Sequence, residues 1–356
     1  MPKWPTDLKR QPTMWQALAR PGERGKKRKL RVYDLFCGIG GFSSGAAQAG
    51  HHVVLAADMD PRMVAMHRQN HPFTRHEVAS LPDDEDLLQL PGHDAWKTMD
   101  WHLHGSPPCT MLSAAKWDKT NQQVNEALSM IRWYLQLAIT QRPTSWSFEQ
   151  VAVRDVLSAC EDFKIQHPLK FDYTVVSCNE YGIPQLRKRV IGGTPWLVQK
   201  MRKMAGTTPE THSHVSHWTP VPKGYTHIQY PKWYRRSKGQ TERKKLDADT
   251  LLIRPVDSPG YSITCTHCNF WTDAKGEIRK SVTPREGARL QTFNDNTLLP
   301  KNNLLAQRMV GNAVPPALAT ALLKDYTIPP TTTTFASDSS HAVHRPSSPS
   351  LSWEWE

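Results

Sequence analysis

The sequence contains no apolar run long enough to span a bilayer, and its first 15 residues lack the apolar core of a signal peptide. Cysteine is scarce, with six residues scattered through a chain of 356. Scattered cysteines do not provide the disulfide framework that holds small secreted domains together. We therefore expect neither a membrane protein nor a secreted disulfide scaffold, but a protein that works in a reducing, intracellular setting.

Acidic residues are also in the minority. The chain has 33 Asp and Glu against 45 Lys and Arg, which gives a formal net charge of +12. A strongly basic chain favours a partner rich in phosphate, such as nucleic acid. Charge alone is equally compatible with a role in solubility, so the partner has to be argued from the motifs.

Composition divides the chain into five segments. Residues 1–29 are polar and end in a basic run, which predicts a flexible basic arm, and residues 327–356 are rich in Thr, Ser and Pro, which predicts a disordered tail. Strand-like and helical patterns alternate through residues 30–195 and predict a first domain. Residues 196–280 are irregular and rich in His, aromatic and basic residues, and predict a second, smaller domain. Helical periodicity returns in residues 281–326, where we expect the chain to re-enter the first domain.

The alternation of strands and helices predicts an α/β fold with a doubly wound, mostly parallel sheet. In such sheets ligands bind at the carboxyl ends of the strands. Asp58, Cys109 and Glu149 each fall at the end of a predicted strand. The sequence therefore predicts that these three side chains share one functional site.

A glycine-rich loop follows the first predicted strand, in the sequence DLFCGIGGF of residues 34–42. Glycines there let the backbone approach a ligand closely, and Asp58 at the next strand end is placed to accept hydrogen bonds from ribose hydroxyls. The spacing is not G-x-G-x-x-G, and the acidic Asp34 suits a cationic or neutral ligand better than a pyrophosphate. S-adenosylmethionine meets these conditions. The alternative is a tight turn that binds nothing.

A rigid corner holds Cys109, in the sequence HGSPPCT of residues 104–110. Two prolines fix the backbone just before the thiol, which is typical of a nucleophile that must meet its target at a set distance. The alternative is a small, buried hydrophobic residue.

Charged residues on two other strands are candidates for the same site. Glu149 lies among apolar strand residues, where a protonated carboxyl would donate to a ring nitrogen; a helix-capping surface glutamate is the alternative. Arg187 and Arg189 alternate along a strand and would hold phosphate or a carbonyl oxygen, unless they line a solvated strand edge. The cluster of Cys265, His267 and Cys268 lacks a second paired motif, so we predict no metal site.

Six motifs occur in the order shown by C5-cytosine-specific DNA methyltransferases, and the chain resembles that family over residues 31–324. The motifs are DLFCGIGGFSSGAAQAG, SPPC, FEQV, CNEYGIPQLRKR, TPREGARLQTF and VGNAVPP. The resemblance implies the S-adenosylmethionine-dependent methyltransferase fold and methyl transfer to C5 of a flipped cytosine in a short duplex DNA sequence. Residues 30–195 would then be the catalytic and cofactor-binding domain, and residues 196–280 the target-recognition domain.

Residue roles follow from the same resemblance. Cys109 would attack C6 of the cytosine, Glu149 would hydrogen-bond N3 and the exocyclic amine, and Arg189 would hold O2 with support from Arg187 and Gln185. Ser113, Lys116 and Lys119 would contact DNA from a loop that closes over the base. The implied S-adenosyl-L-methionine site comprises Asp34, Phe36, Gly38, Gly40, Gly41, Asp58, Met59, Glu77, Pro107, Asn312 and Ala313.

Three positions depart from the family pattern. Gln150 stands where the family usually has Asn, and Thr110 stands where Gln is common. The acid that contacts the adenine normally lies in the sequence G-D-I, whereas here it would be Glu77 in the sequence HEV. These changes leave the nucleophile, the acid and the O2 clamp intact, so we still expect activity, with an altered rate or loop geometry.

Two alternatives of function stay open from the sequence. One is a tRNA cytosine-5 methyltransferase of the same fold, whose Cys-Phe-Thr signature we do not find, and the other is a catalytically inert DNA-binding homologue. The chain resembles stand-alone restriction–modification or phage enzymes. We therefore expect a monomer without an obligate protein partner that acts on double-stranded DNA in the cytoplasm, or in the nucleus if the source is eukaryotic.

Overall fold

The structure is a computed structural model that describes residues 29–84, 100–109, 112, 120–206, 226–229, 252–265, 269–272 and 278–326. Its strands are β1 (Arg31–Leu35), β2 (His52–Asp58), β3 (Arg75–Val78), β4 (Trp101–Gly105), β5 (Ser145–Val151), β6 (Asp172–Ser177), β7 (Gln185–Leu186), β8 (Lys188–Gly193), β9 (Thr226–Gln229), β10 (Leu252–Pro255), β11 (Gly260–Tyr261), β12 (Asn269–Thr272) and β13 (Ile278–Ser281). Its helices are α1 (Gly41–Gln48), α2 (Pro61–Asn70), α3 (Asn121–Gln141), α4 (Arg154–Gln166), α5 (Pro195–Met204), α6 (Pro284–Leu290), α7 (Asn303–Asn312) and α8 (Pro316–Leu323).

Seven strands form the main sheet, in the order β3-β2-β1-β4-β5-β8-β6. Strands β3, β2, β1, β4 and β5 run parallel, whereas β8 is antiparallel to both β5 and β6. The predicted α/β fold with a mostly parallel sheet is confirmed. The reversal of β8 was not predicted, and it follows from the short connection after β6, since a parallel return needs a crossover of a dozen or more residues.

Helices cover both faces of the sheet, and the side chains of β1 alternate between them. Tyr33 and Leu35 pack in one apolar cluster with residues of α3 and α4, whereas Val32 packs with residues of α1 and α8. All five residues of β1 are buried. Sheets covered on both faces bind ligands at the carboxyl ends of their strands, which directs the site to the carboxyl ends of β1, β2, β4 and β5 and to the loops that follow them.

A second, four-stranded antiparallel sheet has the order β10-β9-β12-β13 and falls within residues 196–281. Helix α5 lies at the start of this segment in sequence but packs on β6 and β8 of the main sheet. The division into domains stays a prediction, and the basic arm before residue 29 and the tail after residue 326 lie outside the described residues. In the described part of the chain no helix is long and apolar enough to cross a membrane.

Candidate active site

The glycine-rich loop joins β1 to α1 through left-handed backbone. Phe36 has φ +59°, Gly38 +53° and Gly40 +90°. A positive φ is unusual for a residue with a side chain, and at a non-glycine residue such as Phe36 it is typical of ligand-binding turns. A Cβ at Gly41 would lie 2.0 Å from the carbonyl oxygen of Val314, so this glycine lets α1 pack against the GNAVPP turn.

Asp58 closes the loop from the end of β2. Its Oδ2 accepts a hydrogen bond of 2.9 Å from the Gly38 amide, and its Oδ1 accepts one of 3.0 Å from the Asp60 amide. Burial raises the pKa of Asp58, while these amides lower it. Each carboxylate oxygen keeps a further lone pair. Apart from Gly38 and its two chain neighbours, no described residue has an atom within 4 Å of the position that a Gly38 Cβ would take. Open space beside an acceptor fits the predicted ribose site.

The other predicted cofactor residues lie around this loop with different exposures. Asp34 is fully buried beneath it, and Met59, next to Asp58, is 48% exposed. Glu77 on β3 forms an ion pair of 2.6 Å with Arg75. Asn312 is exposed at the end of α7, and Ala313 is buried. These assignments stay predictions.

The corner before Cys109 is tied to the glycine loop and to β5. The Ser106 amide donates to the Leu35 carbonyl over 3.3 Å, and the Ser106 hydroxyl donates to the Phe36 carbonyl over 3.3 Å. The Gln150 side-chain amide donates to the Pro107 carbonyl over 3.0 Å. Gln150 therefore supplies a side-chain amide that holds the rigid corner, despite its departure from the family pattern.

Cys109 is partly exposed at the end of this corner. Burial of the sulfur raises the pKa of the thiol, as do Glu149 and Cys265, whereas Arg189 and Arg187 lower it. The groups predicted for catalysis thus lie within electrostatic reach of one sulfur atom. Burial is the largest of these effects and leaves the thiol protonated near neutral pH.

Glu149 and Arg189 form an ion pair across β5 and β8. The Nε of Arg189 lies 2.8 Å from Oε1 of Glu149, and both side chains are about nine-tenths buried, with exposures of 12% and 10%. Among the described residues Oε1 of Glu149 has no hydrogen bond of good geometry. The pair therefore keeps hydrogen-bonding capacity for a ligand that enters beside Cys109.

Arg187 and Gln185 face inward and bind the backbone of distant segments. Arg187 donates to the carbonyls of Ile263 at 2.9 Å, Gly311 at 3.1 Å and Ala313 at 3.2 Å. Gln185 accepts a hydrogen bond of 3.1 Å from the Ile263 amide. These hydrogen bonds hold the segment of Gln185 and Arg187 against the backbone at Ile263, Gly311 and Ala313.

Some predicted residues fall outside the described part of the chain. They are Thr110, Ser113, Lys116, Lys119, His267 and Cys268. Within the described residues no group of three His, Cys, Asp or Glu side chains is arranged to hold a metal ion.

The structure also places residues at the site that the sequence did not indicate. The indole of Trp133 meets the Phe36 ring edge-on, with centroids 6.4 Å apart, and Cys265 lies near the Cys109 thiol. His67, His71 and His76 cluster behind the glycine loop. Trp133 follows the helical period of α3 and resembles an ordinary packing residue in sequence, so no local signal distinguished it.

Known proteins resemble this chain over most of its length. A family model described as C-5 cytosine-specific DNA methylase matches residues 30–194 and 196–327. The chain is 24% identical over 341 residues to the type II methyltransferase M1.HphI of Haemophilus parahaemolyticus, across 82% of this chain and 85% of that protein. It is 25% identical over 329 residues to the type II methyltransferase M.NgoPII of Neisseria gonorrhoeae, across 82% and 93%.

Solved structures share the fold. A DNA modification methyltransferase encoded within an E. coli prophage has a TM-score of 0.56 at 18% identity, across 83% of this chain and 98% of that one. The Entamoeba histolytica methyltransferase EhMeth has a TM-score of 0.54 at 14% identity, across 84% and 98%. At these identities the likeness concerns the fold alone.

Proposed function

Because the chain belongs to the family of C-5 cytosine-specific DNA methylases, we propose that it methylates cytosine through a covalent adduct on Cys109. The chain is a DNA cytosine-5 methyltransferase that uses S-adenosyl-L-methionine, and the expectation of an enzyme is confirmed. One observation supports the covalent route: Glu149 and Arg189, which form an ion pair of 2.8 Å, both affect the pKa of the Cys109 thiol.

The residues of the glycine loop fit S-adenosylmethionine. Open space at Gly38 and the remaining lone pairs of Asp58 suit a ribose, and we assign the partly exposed Phe36 ring to stacking on adenine. Asp34 offers a buried oxygen, Oδ1, that has no partner among the described residues, which suits a cationic ligand above it. When bound, S-adenosylmethionine supplies an electrophilic methyl group.

Cys109 gives its thiol proton to solvent, and the sulfur adds to C6 of the cytosine. Glu149 takes up one proton from solvent, donates it to N3 and accepts a hydrogen bond from the exocyclic amine, while Arg189 holds O2. C5 becomes enamine-like and takes the methyl group. Water then removes the C5 proton, the sulfur leaves as a thiolate, and N3 returns its proton to Glu149, which restores the ring.

The base has to leave the duplex for this chemistry, because C6 is out of reach inside the stack. We assign the closing loop to Ser113, Lys116 and Lys119, and sequence recognition to residues 196–280, on the resemblance alone. Type II relatives favour a role in restriction–modification. We further propose a monomer that acts on duplex DNA in the cytoplasm of a bacterial or phage-infected cell.

The experiment begins with the recognition sequence. Expression in methylation-deficient bacteria followed by bisulfite sequencing identifies the methylated site. Duplexes with 5-fluorocytosine at that site should then give an adduct that survives denaturing electrophoresis, because fluorine at C5 blocks release of the sulfur. Transfer RNA tested in parallel addresses the tRNA alternative.

Matched variants identify which cysteine sulfur forms the adduct. Cys109→Ala should form no adduct, whereas Cys265→Ser, which removes the neighbouring thiol, should still form it. An adduct on Cys109→Ala would contradict the proposal. Binding of duplex DNA with no adduct on the parent protein would favour the inert homologue.

A further inference from the structure

A chain of hydrogen bonds leads from Asp34, beneath the glycine loop, to the half-buried His76. The Ser43 hydroxyl donates to Asp34 Oδ2 over 2.6 Å. Ser43 Oγ lies 3.0 Å from His67 Nε2, and His67 Nδ1 lies 2.8 Å from His76 Nε2. Asp34, Ser43 and His67 are each 0% exposed, so these hydrogen bonds connect the buried carboxyl to a half-buried ring.

The donors in this series of hydrogen bonds all face the same way. The single hydrogen of Ser43 goes to Asp34, so Ser43 Oγ accepts from the Nε2–H of His67. Burial lowers the pKa of His67 well below its ordinary value, so the ring is neutral and its Nδ1 accepts from the Nε2–H of His76. Every hydrogen therefore points toward Asp34.

Asp34 is able to hold a proton near neutral pH. Its Oδ1 has no hydrogen-bond partner among the described residues. Burial raises the pKa of Asp34 to about 7, with Ser43 opposing the rise and Asp58 adding to it. The charged and titratable groups around the chain are Cys37 and Asp58 at the loop, His104 on β4, Tyr134 on α3, Arg68 and His71 on α2, and Glu77 on β3.

We propose that Asp34 changes its protonation between the complexes with S-adenosylmethionine and S-adenosylhomocysteine, and that Ser43, His67 and His76 carry the proton. The inference rests on the proposed function only in taking the glycine loop as the binding site of both ligands. The sulfonium of the methyl donor is positive, and the thioether of the product is neutral. In a buried site of low dielectric, a positive charge above the loop favours the carboxylate, and its loss favours the neutral acid.

The half-buried ring of His76, which also hydrogen-bonds the Thr74 backbone, takes one proton from solvent and passes its Nε2 proton to His67 Nδ1. His67 passes its Nε2 proton to Ser43, and Ser43 passes its own to Asp34. Asp34 ends neutral, both rings end neutral, and one proton has left solvent. Binding of the methyl donor reverses the sequence and releases the proton.

Calorimetry tests this on the unaltered protein. Titration at pH 7 in two buffers of different ionisation enthalpy counts the protons exchanged on binding each ligand. Because S-adenosylmethionine favours the carboxylate of Asp34 and S-adenosylhomocysteine the neutral acid, S-adenosylmethionine should release up to about one proton more per site than S-adenosylhomocysteine. Equal proton counts for the two ligands would overturn the proposal without any variant.

Variants assign the group and the route. Asp34→Asn should abolish the difference between the two ligands; an unchanged difference would assign the proton elsewhere. His76→Gln should keep the difference at equilibrium, but proton release followed by a pH indicator after rapid mixing should lag at least about tenfold behind binding. His52→Gln, outside the chain, should show no lag, and equally fast release in His76→Gln and His52→Gln would remove His76 from the route.

Failure of this inference and failure of the proposed function would give different experimental results. A protein that binds both ligands with different proton counts but forms no adduct on 5-fluorocytosine would retain this inference and lose the covalent mechanism. Adduct formation with equal proton counts would do the reverse.

Discussion

The Nε of Arg189 lies 2.8 Å from Oε1 of Glu149, and these two side chains have opposite effects on the thiol of Cys109. Arg189 lowers the pKa of the thiol and Glu149 raises it, while burial raises it further. Burial keeps the sulfur protonated near neutral pH, which limits side reactions of this partly exposed cysteine.

The first prediction concerns alkylation of Cys109 by iodoacetamide as pH rises. The rate should follow the thiolate and have its midpoint above the ordinary pKa of a cysteine, about 8.5. Glu149→Gln removes a negative charge and should move the midpoint to lower pH, whereas Arg189→Gln removes a positive charge and should move it to higher pH. A Cys265→Ser background removes the neighbouring thiol, and identical midpoints in all variants would contradict the electrostatic account.

Local sequence patterns were sufficient to predict candidate site residues, but not the long-range hydrogen bonds that hold them in place. The strand ends, the glycine loop and the rigid corner are properties of short segments, so Asp58, Cys109 and Glu149 could be predicted from sequence. Strand β5 continues to Val151, so the prediction of a strand that ends at Glu149 was wrong by two residues, and Glu149 lies within the strand. The role of Arg187 depends on carbonyls 76 to 126 residues away in the chain, which no local pattern encodes. The resemblance indicated that Arg187 supports Arg189, and the structure adds which backbone it binds.

Long-range packing also explains why the histidine cluster was not predicted from the sequence. His67 and His76 are nine residues apart and become neighbours only because α2 packs beside β3. Their periodicity in sequence fits a helix and a strand, not a site. The antiparallel direction of β8 is likewise set by the length of the connection after β6 and not by the composition of the strand.

The second prediction separates the two arginines. Arg187→Met should lower the free energy of unfolding by about 3 kcal/mol or more, because it leaves three buried carbonyls unpaired. Arg189→Met should cost less stability but reduce kcat at least about 100-fold. Denaturant unfolding and tritiated methyl incorporation measure the two effects. A stable, inactive Arg187→Met protein would instead indicate direct contact with the base.

The third prediction concerns Gly41. Alanine there would place its Cβ 2.0 Å from the Val314 carbonyl oxygen, which is backbone and unable to move aside cheaply. Gly41→Ala should therefore lower the free energy of unfolding by about 1–3 kcal/mol and weaken binding of S-adenosylmethionine, since α1 and the GNAVPP turn separate. Ala47→Ser, at an exposed position of the same helix, should change stability by less than about 0.5 kcal/mol. Equal stability of the two variants would show that the turn yields without cost.

The fourth prediction concerns stability in mild acid. His71 lies behind the glycine loop, with Nε2 3.3 Å from the Ser44 hydroxyl, and burial lowers its pKa to about 4, with a weaker opposing effect from the Gly40 backbone. The native state thus favours the neutral ring, so the stabilisation is present above about pH 6.5, the unfolded value, and is lost as pH falls toward 4. The parent should lose as much as about 3 kcal/mol over that window from His71, and His71→Gln should lose correspondingly less. Denaturant unfolding at several pH values measures the difference, and NMR titration of the His71 ring checks its cause, since a midpoint near 6.5 would contradict it.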